Sequence, residues 1–490
     1  MIASYAKLFA AVCGLASTAA AVNPLVVEGK DFVDSVTGER FQMIGVDYQP
    51  GGSSGFKGTS DPLSDPASCL RDAAIMQYLG INSIRVYNLA PSANHDECVS
   101  IFNAAGIYLV LDVNSPLENG SLNRAAPWES YNDIYMQQVF GIIESFKNFP
   151  NVAGFFSGNE VINQDSTEDV PNYIRAVQRD MNDYIAKNSN RTIPVGYSAA
   201  DVRPMLVDTA YYLSCNLTNA TDSRSAFFGL NSYSWCGDAT YESSGYNVLT
   251  DDFKNVSIPV FFSETGCNAV KPRTFSEIES IYSTNMTDAI SGALIYEWTQ
   301  EANDYGLVQI NDNGTITLLT DFINLKAAYD KLDFSAIVAS NATQNSIEAP
   351  VCDPDFITSN VTKDWDIPTR IAGIDKMIND GYTTNVSVGS LVSVSSTNLT
   401  QTIYDPSGNI ISGIMLNVLA NGTVNKPGGN STTTTVSSSS SSALPDTASS
   451  SSSSIGSSAS ASTTTGAAVS HRAATISGLG VLVATALLAL

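Results

Sequence analysis

The chain has 490 residues, with 48 acidic against 24 basic side chains and a formal charge of −24 at neutral pH. That balance excludes nucleic acid as a partner, because neutralising phosphates takes a surplus of Lys and Arg. Only His95 and His471 are present. His471 falls in the stretch that reads as a removable anchor signal, so a Ser-His-Asp hydrolase or a His-ligated zinc centre would rest on His95 alone, and any chemistry falls to carboxylates.

In chain order, Lys7, the apolar run Leu8 to Leu15 and the small residues Ala19 to Ala21 have the layout of a cleaved secretory signal over 1–21, with a mature start at Val22. Cys13 leaves with it. An even six cysteines remain, Cys69, Cys98, Cys215, Cys236, Cys267 and Cys352, which in an oxidising compartment are expected to pair, with fifteen pairings open. Thirteen Asn-x-Ser/Thr sequons from Asn119 to Asn430 agree with that route, some of them expected to be buried and unused.

Between residues 41 and 298 eight short apolar runs alternate with helical patterns: FQMIGVDY, INSIRVYN, IYLVLDVN, VAGFFSGNE, TIPVGYSAA, FFGLNSYSW, PVFFSETG and ALIYEW. Eight such units have the size of an α/β fold of the (β/α)8 TIM-barrel type, here assigned to 22–335, with a doubly wound open sheet as its competitor. The alternating stretches TTNVSVGSLVSVSS and ISGIMLNVLANGT then predict a small β-rich module over 336–429, tied back to the barrel through Cys352. Ser and Thr dominate 430–466, without the apolar periodicity a core needs; this reads as a disordered, glycosylated stalk. Ile476 to Leu490 is apolar but short for a membrane span. With the small residues Gly466, Ala467 and Ala468 before it, 467–490 reads as a removable lipid-anchor (GPI) signal, with Gly466 as attachment residue and a C-terminal membrane helix as the alternative. Either way the bulk of the chain is expected on the extracellular face of the plasma membrane.

Barrel enzymes gather their chemistry at the C-terminal ends of the strands. Here the fourth run ends in Ser157, Gly158, Asn159 and Glu160, and the seventh in Ser263, Glu264, Thr265 and Gly266. Two carboxylates three strands apart would face each other across the barrel mouth. Glycoside cleavage uses such a pair, one protonating the leaving oxygen and one attacking the anomeric carbon, and a separation of about 5–5.5 Å gives retention. The alternative for each glutamate is a surface or capping residue that begins the next helix.

Taken together, IGVDYQPGG, SIRVYN, YLVLDVN, FFSGNE, NSYSWCG, FFSETGC and ALIYEW make the chain resemble, from about residue 23 to 430, the fungal cell-wall β-1,3-glucanosyltransferases of glycoside hydrolase family 72. The resemblance implies Glu160 as acid/base and Glu264 as nucleophile of a retaining double displacement. It also implies that Gln49, Tyr87, Asp112, Asn159, Tyr233 and Tyr296 line the sugar-binding cleft. The disulfides it implies are Cys69 with Cys98, Cys215 with Cys352 and Cys236 with Cys267. Several of these have a rationale of their own. Asn159 is placed to bond the sugar 2-hydroxyl, Tyr233 to donate to Glu264, and Tyr87 and Tyr296 offer flat faces to sugar rings; ordinary packing at the rim is the alternative for each tyrosine. No cysteine follows Cys352, so the cysteine-rich carbohydrate-binding module of some members is missing. The expected partners are β-1,3-glucan donor and acceptor chains, with no cofactor, no metal and a monomeric enzyme. Residue types do not separate transfer from hydrolysis, so an endo-β-1,3-glucanase and a non-catalytic wall glucan-binding protein stand as alternatives.

Overall fold

A computed structural model describes residues 21–164, 167, 170–339, 347–429 and 435–437. The signal up to residue 20, most of the Ser/Thr-rich stalk, Gly466 and the apolar tail lie outside the described residues.

The chain opens with a small antiparallel sheet, β1 (Leu25–Glu28), β2 (Asp31–Asp34) and β3 (Arg40–Phe41). Each of the eight apolar runs then supplies one strand: β4 (Met43–Tyr48), β5 (Ser83–Val86), β6 (Tyr108–Asp112), β7 (Val152–Asn159), β8 (Val195–Ala200), β9 (Phe227–Asn231), β10 (Val260–Thr265) and β11 (Gly292–Ile295). They pair in parallel and close into a barrel in the order β10-β11-β4-β5-β6-β7-β8-β9. The runs are apolar throughout because both faces are covered, one by helices and one by the barrel filling. Helix ends follow local chemistry. Asp65 caps helix Pro66–Leu79, which stops at left-handed Gly80, and Asn132 caps helix Asp133–Phe146 through the amides of Ile134 and Tyr135.

The β1–β3 sheet plugs the N-terminal end of the barrel. Phe32 packs 5.6 Å from Phe227 and 5.9 Å from Phe261, ring to ring, in a cluster with Phe41, Tyr108 and Phe156. This fixes the opposite end as the open one.

After the barrel come β12 (Val308–Ile310) and β13 (Ile316–Leu318), which share a five-stranded sheet with β14 (Ile403–Tyr404), β15 (Ile410–Ser412) and β16 (Thr435–Ser437). The region expected as a β-rich module thus carries little sheet of its own and completes one begun by the barrel. Its most strongly alternating stretch, 383–396, forms no ladder. It lies extended across helices, giving the amides of Ser387 to Pro91 O, Gly389 to Ser145 O, Ser390 to Asp96 Oδ1 and Val392 to Ser100 Oγ. Farther on, Gln77 exchanges two 2.8 Å bonds with the backbone of Asn417, and Asn425 Nδ2 reaches Ile81 O at 2.7 Å.

Three disulfides form: Cys69–Cys98 between two neighbouring helices, Cys236–Cys267 between the loops after β9 and β10, and Cys215–Cys352 from the barrel to the C-terminal segment. They are the pairs that the resemblance implies.

Candidate active site

The open mouth is built around a charge that the strand pattern hides. Arg85 stands inside β5 with no exposed surface, and its cost of burial is met by partners on four other strands. Asp112 on β6 grips it in a fork, 2.8 Å to Nε and 3.2 Å to Nη2. Asn159 Oδ1 on β7 accepts from Nη2 at 2.9 Å, and Glu264 Oε1 on β10 from Nη1 at 3.1 Å; Asn231 on β9 lies 3.4 Å from Nη1. The guanidinium also rests 4.3 Å from the Tyr87 ring centre and 4.6 Å from that of Phe156.

Glu264 is aimed by its backbone. The register of β10 against β9 slips between Phe262 and Glu264, a bulge of the kind that redirects a side chain at a barrel rim. Its carboxylate then receives the Tyr87 hydroxyl on Oε1 and the Tyr233 hydroxyl on Oε2, each at 2.8 Å. Burial pushes this carboxyl up to about 7; Arg85 pulls it down, Glu160 raises it further, and the two hydroxyls oppose the rise. Burial also lifts both tyrosines well above their ordinary range, so they remain protonated donors.

Glu160 follows β7 with φ 49°, a left-handed conformation costly for a side chain of this size. Its amide is held by Ser198 O at 2.8 Å and its Oε1 by Asn231 Nδ2 at 2.8 Å. Asn231 Nδ2 also reaches Asn159 Oδ1 at 3.1 Å, while its own Oδ1 accepts the hydroxyls of Ser198 and Ser263 at 3.1 and 2.8 Å. Asn159 Oδ1 is thus taken by Arg85 and Asn231, which leaves its Nδ2 as the donor for a ligand. One polar frame, Arg85 with Asn231, therefore spans both glutamates.

The other expected residues divide. Tyr87, Asn159 and Tyr233 contact the pair or its frame directly. Tyr296 joins Tyr233 in an aromatic wall, with centroids 6.3 Å apart, to which Tyr305 adds rings at 5.7 and 5.3 Å from the two. Gln49 is nearly buried, donates to Ser53 Oγ at 2.9 Å and lines a cavity of about 320 Å³ with Tyr48, Arg71 and Asn88. Asp112 is buried at 3% exposure beneath the mouth, where its carboxylate grips Arg85 and holds the frame on which the pair is mounted.

Sequence reasoning missed Arg85, Asn231, Asp47 and Tyr305. A cation inside an apolar strand is itself a signal, since an Arg is almost never fully buried without partners. Asp47 on β4 pairs in register with Arg85, is wholly buried, and has no hydrogen-bond partner for either carboxylate oxygen among the described residues. Burial, then the nearby Glu264, holds it well above the usual carboxylate range. Glu297 beside the wall is likewise pushed by burial to about 7, against a 2.6 Å bond from Asn303 Nδ2. Tyr305 sits on a loop between β11 and β12 and carries no pattern in sequence.

A family model described as glucanosyltransferase matches residues 15–333. The 1,3-beta-glucanosyltransferase gel2 of Aspergillus fumigatus is 60% identical over 429 residues, covering 87% of this chain and 90% of the relative. The 1,3-beta-glucanosyltransferase GAS4 of Saccharomyces cerevisiae is 45% identical over 338 residues, 69% of this chain and 72% of the relative. Among solved structures, a mutant Gas2p of Saccharomyces cerevisiae in complex with laminaritetraose and laminaripentaose superposes with a TM-score of 0.62 at 35% identity, over 71% of this chain and 74% of that one.

Proposed function

The chain belongs to the glucanosyltransferases of glycoside hydrolase family 72, and from that premise we propose that it is a retaining β-1,3-glucanosyltransferase of cell-wall glucan, cutting an internal β-1,3 linkage and joining the new reducing end to the non-reducing end of another chain. The observation that carries this reading is the pair Glu160 and Glu264 held on one Arg85–Asn231 frame at the open end of the barrel.

In the first step a Glu264 oxygen forms a bond to the anomeric carbon while the C–O bond to the departing fragment breaks and takes the proton of Glu160. Arg85, Tyr87 and Tyr233 donate to the Glu264 carboxylate, which favours its ionised form and fixes its direction of attack. Asn159 Nδ2 supplies the donor for the sugar 2-hydroxyl, a contact that strengthens as positive charge develops on the ring. In the second step Glu160, now ionised, takes the proton of an incoming sugar hydroxyl as that oxygen displaces Glu264. The aromatic wall of Tyr233, Tyr296 and Tyr305 gives sugar rings flat faces on which to stack, which favours a sugar acceptor over water. Tyr87, Asn159, Tyr233, Tyr296 and Gln49 serve as the substrate-binding set.

Incubating the folded protein with one reduced β-1,3-gluco-oligosaccharide tests this by mass-resolved products. Chains longer than the input, absent with Glu160→Gln and with Glu264→Gln, are expected. Only shorter chains would turn the reading to an endo-β-1,3-glucanase, and none at all to a glucan-binding protein. The same reading puts the enzyme, as a monomer, on the outer face of the plasma membrane through a lipid anchor at Gly466. The layout of both chain ends and the three disulfides support it. Release from intact cells by a phosphatidylinositol-specific phospholipase is the expected result; retention would remove the anchor from the reading.

A further inference from the structure

The N-terminal rim of the barrel, opposite the active site, is finished in two ways. On one half residues 417–427 seal it. Asn425 binds Ile81 O and, through its amide, Gly106 O, so the connections entering β5 and β6 lie under protein. A Cβ on Gly80 would stand 2.8 Å from Pro427 Cα.

On the other half the rim carries sequons. Seven fall between Met43 and Tyr329, and five of these, Asn190, Asn216, Asn219, Asn255 and Asn285, lie on the helix-to-strand connections entering β8, β9, β10 and β11. Those four strands are consecutive in the closed barrel, so the sequons form a continuous arc. Asn119 and Asn313 alone fall on connections that follow a barrel strand. The asparagines at 190, 219, 255 and 285 are exposed, and among the described residues none of their Nδ2 groups has a hydrogen-bond partner. Asn216 is half-buried, with its backbone bonded to Pro350 and Cys352 next to a disulfide. The early expectation that some sequons are buried thus narrows, among the described residues, to this one partly covered asparagine.

We propose that Asn190, Asn219, Asn255 and Asn285 carry N-linked glycans that together cover the β8–β11 half of the N-terminal rim, doing with sugar what residues 417–427 do with polypeptide on the other half. The proposal rests on the secretory reading of the N-terminus. In the modification the amide Nδ2 loses a proton and bonds to C1 of an oligosaccharide, as the bond from C1 to a polyprenyl diphosphate carrier breaks and the diphosphate departs. Strands of about six residues put this rim roughly 20 Å from the mouth, so the glycans leave the glucan cleft free and commit this face to solvent.

The test is to express the whole chain in a glycosylating yeast twice, behind its own N-terminus and behind a foreign secretory leader, and to read each sequon by enzymatic deglycosylation in heavy-oxygen water with peptide mass spectrometry. Heavy aspartate is expected at 190, 219, 255 and 285 and unmodified asparagine at 216. Secreted protein that is unmodified at two or more of the four overturns the proposal. Failure of the own-leader arm alone counts against the secretory reading and leaves the glycan map to the other arm. A variant with all four changed Asn→Gln should keep kcat/KM on a β-1,3-gluco-oligosaccharide within about twofold. If it fails to fold, the four single variants give the same reading, and a tenfold loss in any folded variant overturns the remoteness of this face.

Discussion

The two ends of the barrel make opposite use of the same burial. At the N-terminal end it brings together Phe32, Phe41, Phe156, Phe227 and Phe261, which have nothing to ionise and only pack. At the mouth it encloses Asp47, Asp112 and Glu264 around Arg85, with Glu297 beside the aromatic wall, and there it lifts the carboxyls of Asp47, Glu264 and Glu297 and demands donors. Phe156 belongs to both, edge-on to Phe227 at 5.2 Å and under the Arg85 guanidinium at 4.6 Å. Cohesion and reactivity are therefore stacked along one axis, and each can be altered without the other.

The sharpest way to break this comparison is Glu264→Gln. Transfer should fall by about 10⁴-fold or more, while the melting temperature, read by calorimetry, stays level or rises because a buried carboxyl is removed. A large drop in melting temperature would show the mouth to be part of the cohesive core. The converse change, Phe32→Ala, should cost about 3–5 kcal/mol of stability in a denaturant titration yet leave KM and the pH profile of the remaining folded enzyme unmoved.

Tyr233→Phe is smaller and more specific. It removes one donor from Glu264, so kcat should fall about tenfold, and the acid limb of kcat/KM should move to higher pH because the anion is held less well. An unmoved limb would mean that the hydroxyl only fills space. The smallest effect is on stability against pH. Glu264, Glu277 and Glu297 are each raised from 4.5 to about 7 by burial, so the folded chain keeps protons that the unfolded chain releases. Their contribution is complete below pH 4.5 and is lost as pH rises through 7, predicting a melting temperature lower by roughly 5 °C at pH 8 than at pH 5. Glu277→Gln should flatten that slope while sparing transfer.

The eight strands were legible because each is an apolar run that stops on polar residues, and the same feature exposed Glu160 and Glu264. Arg85 and Asn231 were harder to see because their partners come from strands far apart in sequence; only closure of the barrel brings Asn159, Asn231 and Glu264 around one guanidinium. The stretch 383–396 misled for a different reason. Its alternation predicts one buried face, yet the stretch has none: Val386, Leu391, Val392 and Val394 are half-buried, Val388 is exposed and only Gly389 is buried. It runs across helices, and the side chains of Asp96 and Ser100 with the carbonyls of Pro91 and Ser145 accept the amides that a ladder would have used.

The fastening of the C-terminal segment sets the smallest piece of this protein that can be inherited, fused or expressed as a unit. A chain cut after Tyr329, where the barrel's own elements end, would leave Cys215 an unmatched thiol and uncover Ile81 and Gly106. In an oxidising compartment such a thiol pairs with a second molecule. Recombination that exchanges the barrel alone would therefore yield mispaired, exposed products, whereas exchange through Ser437 carries the barrel, its seal and the last strand of the second sheet.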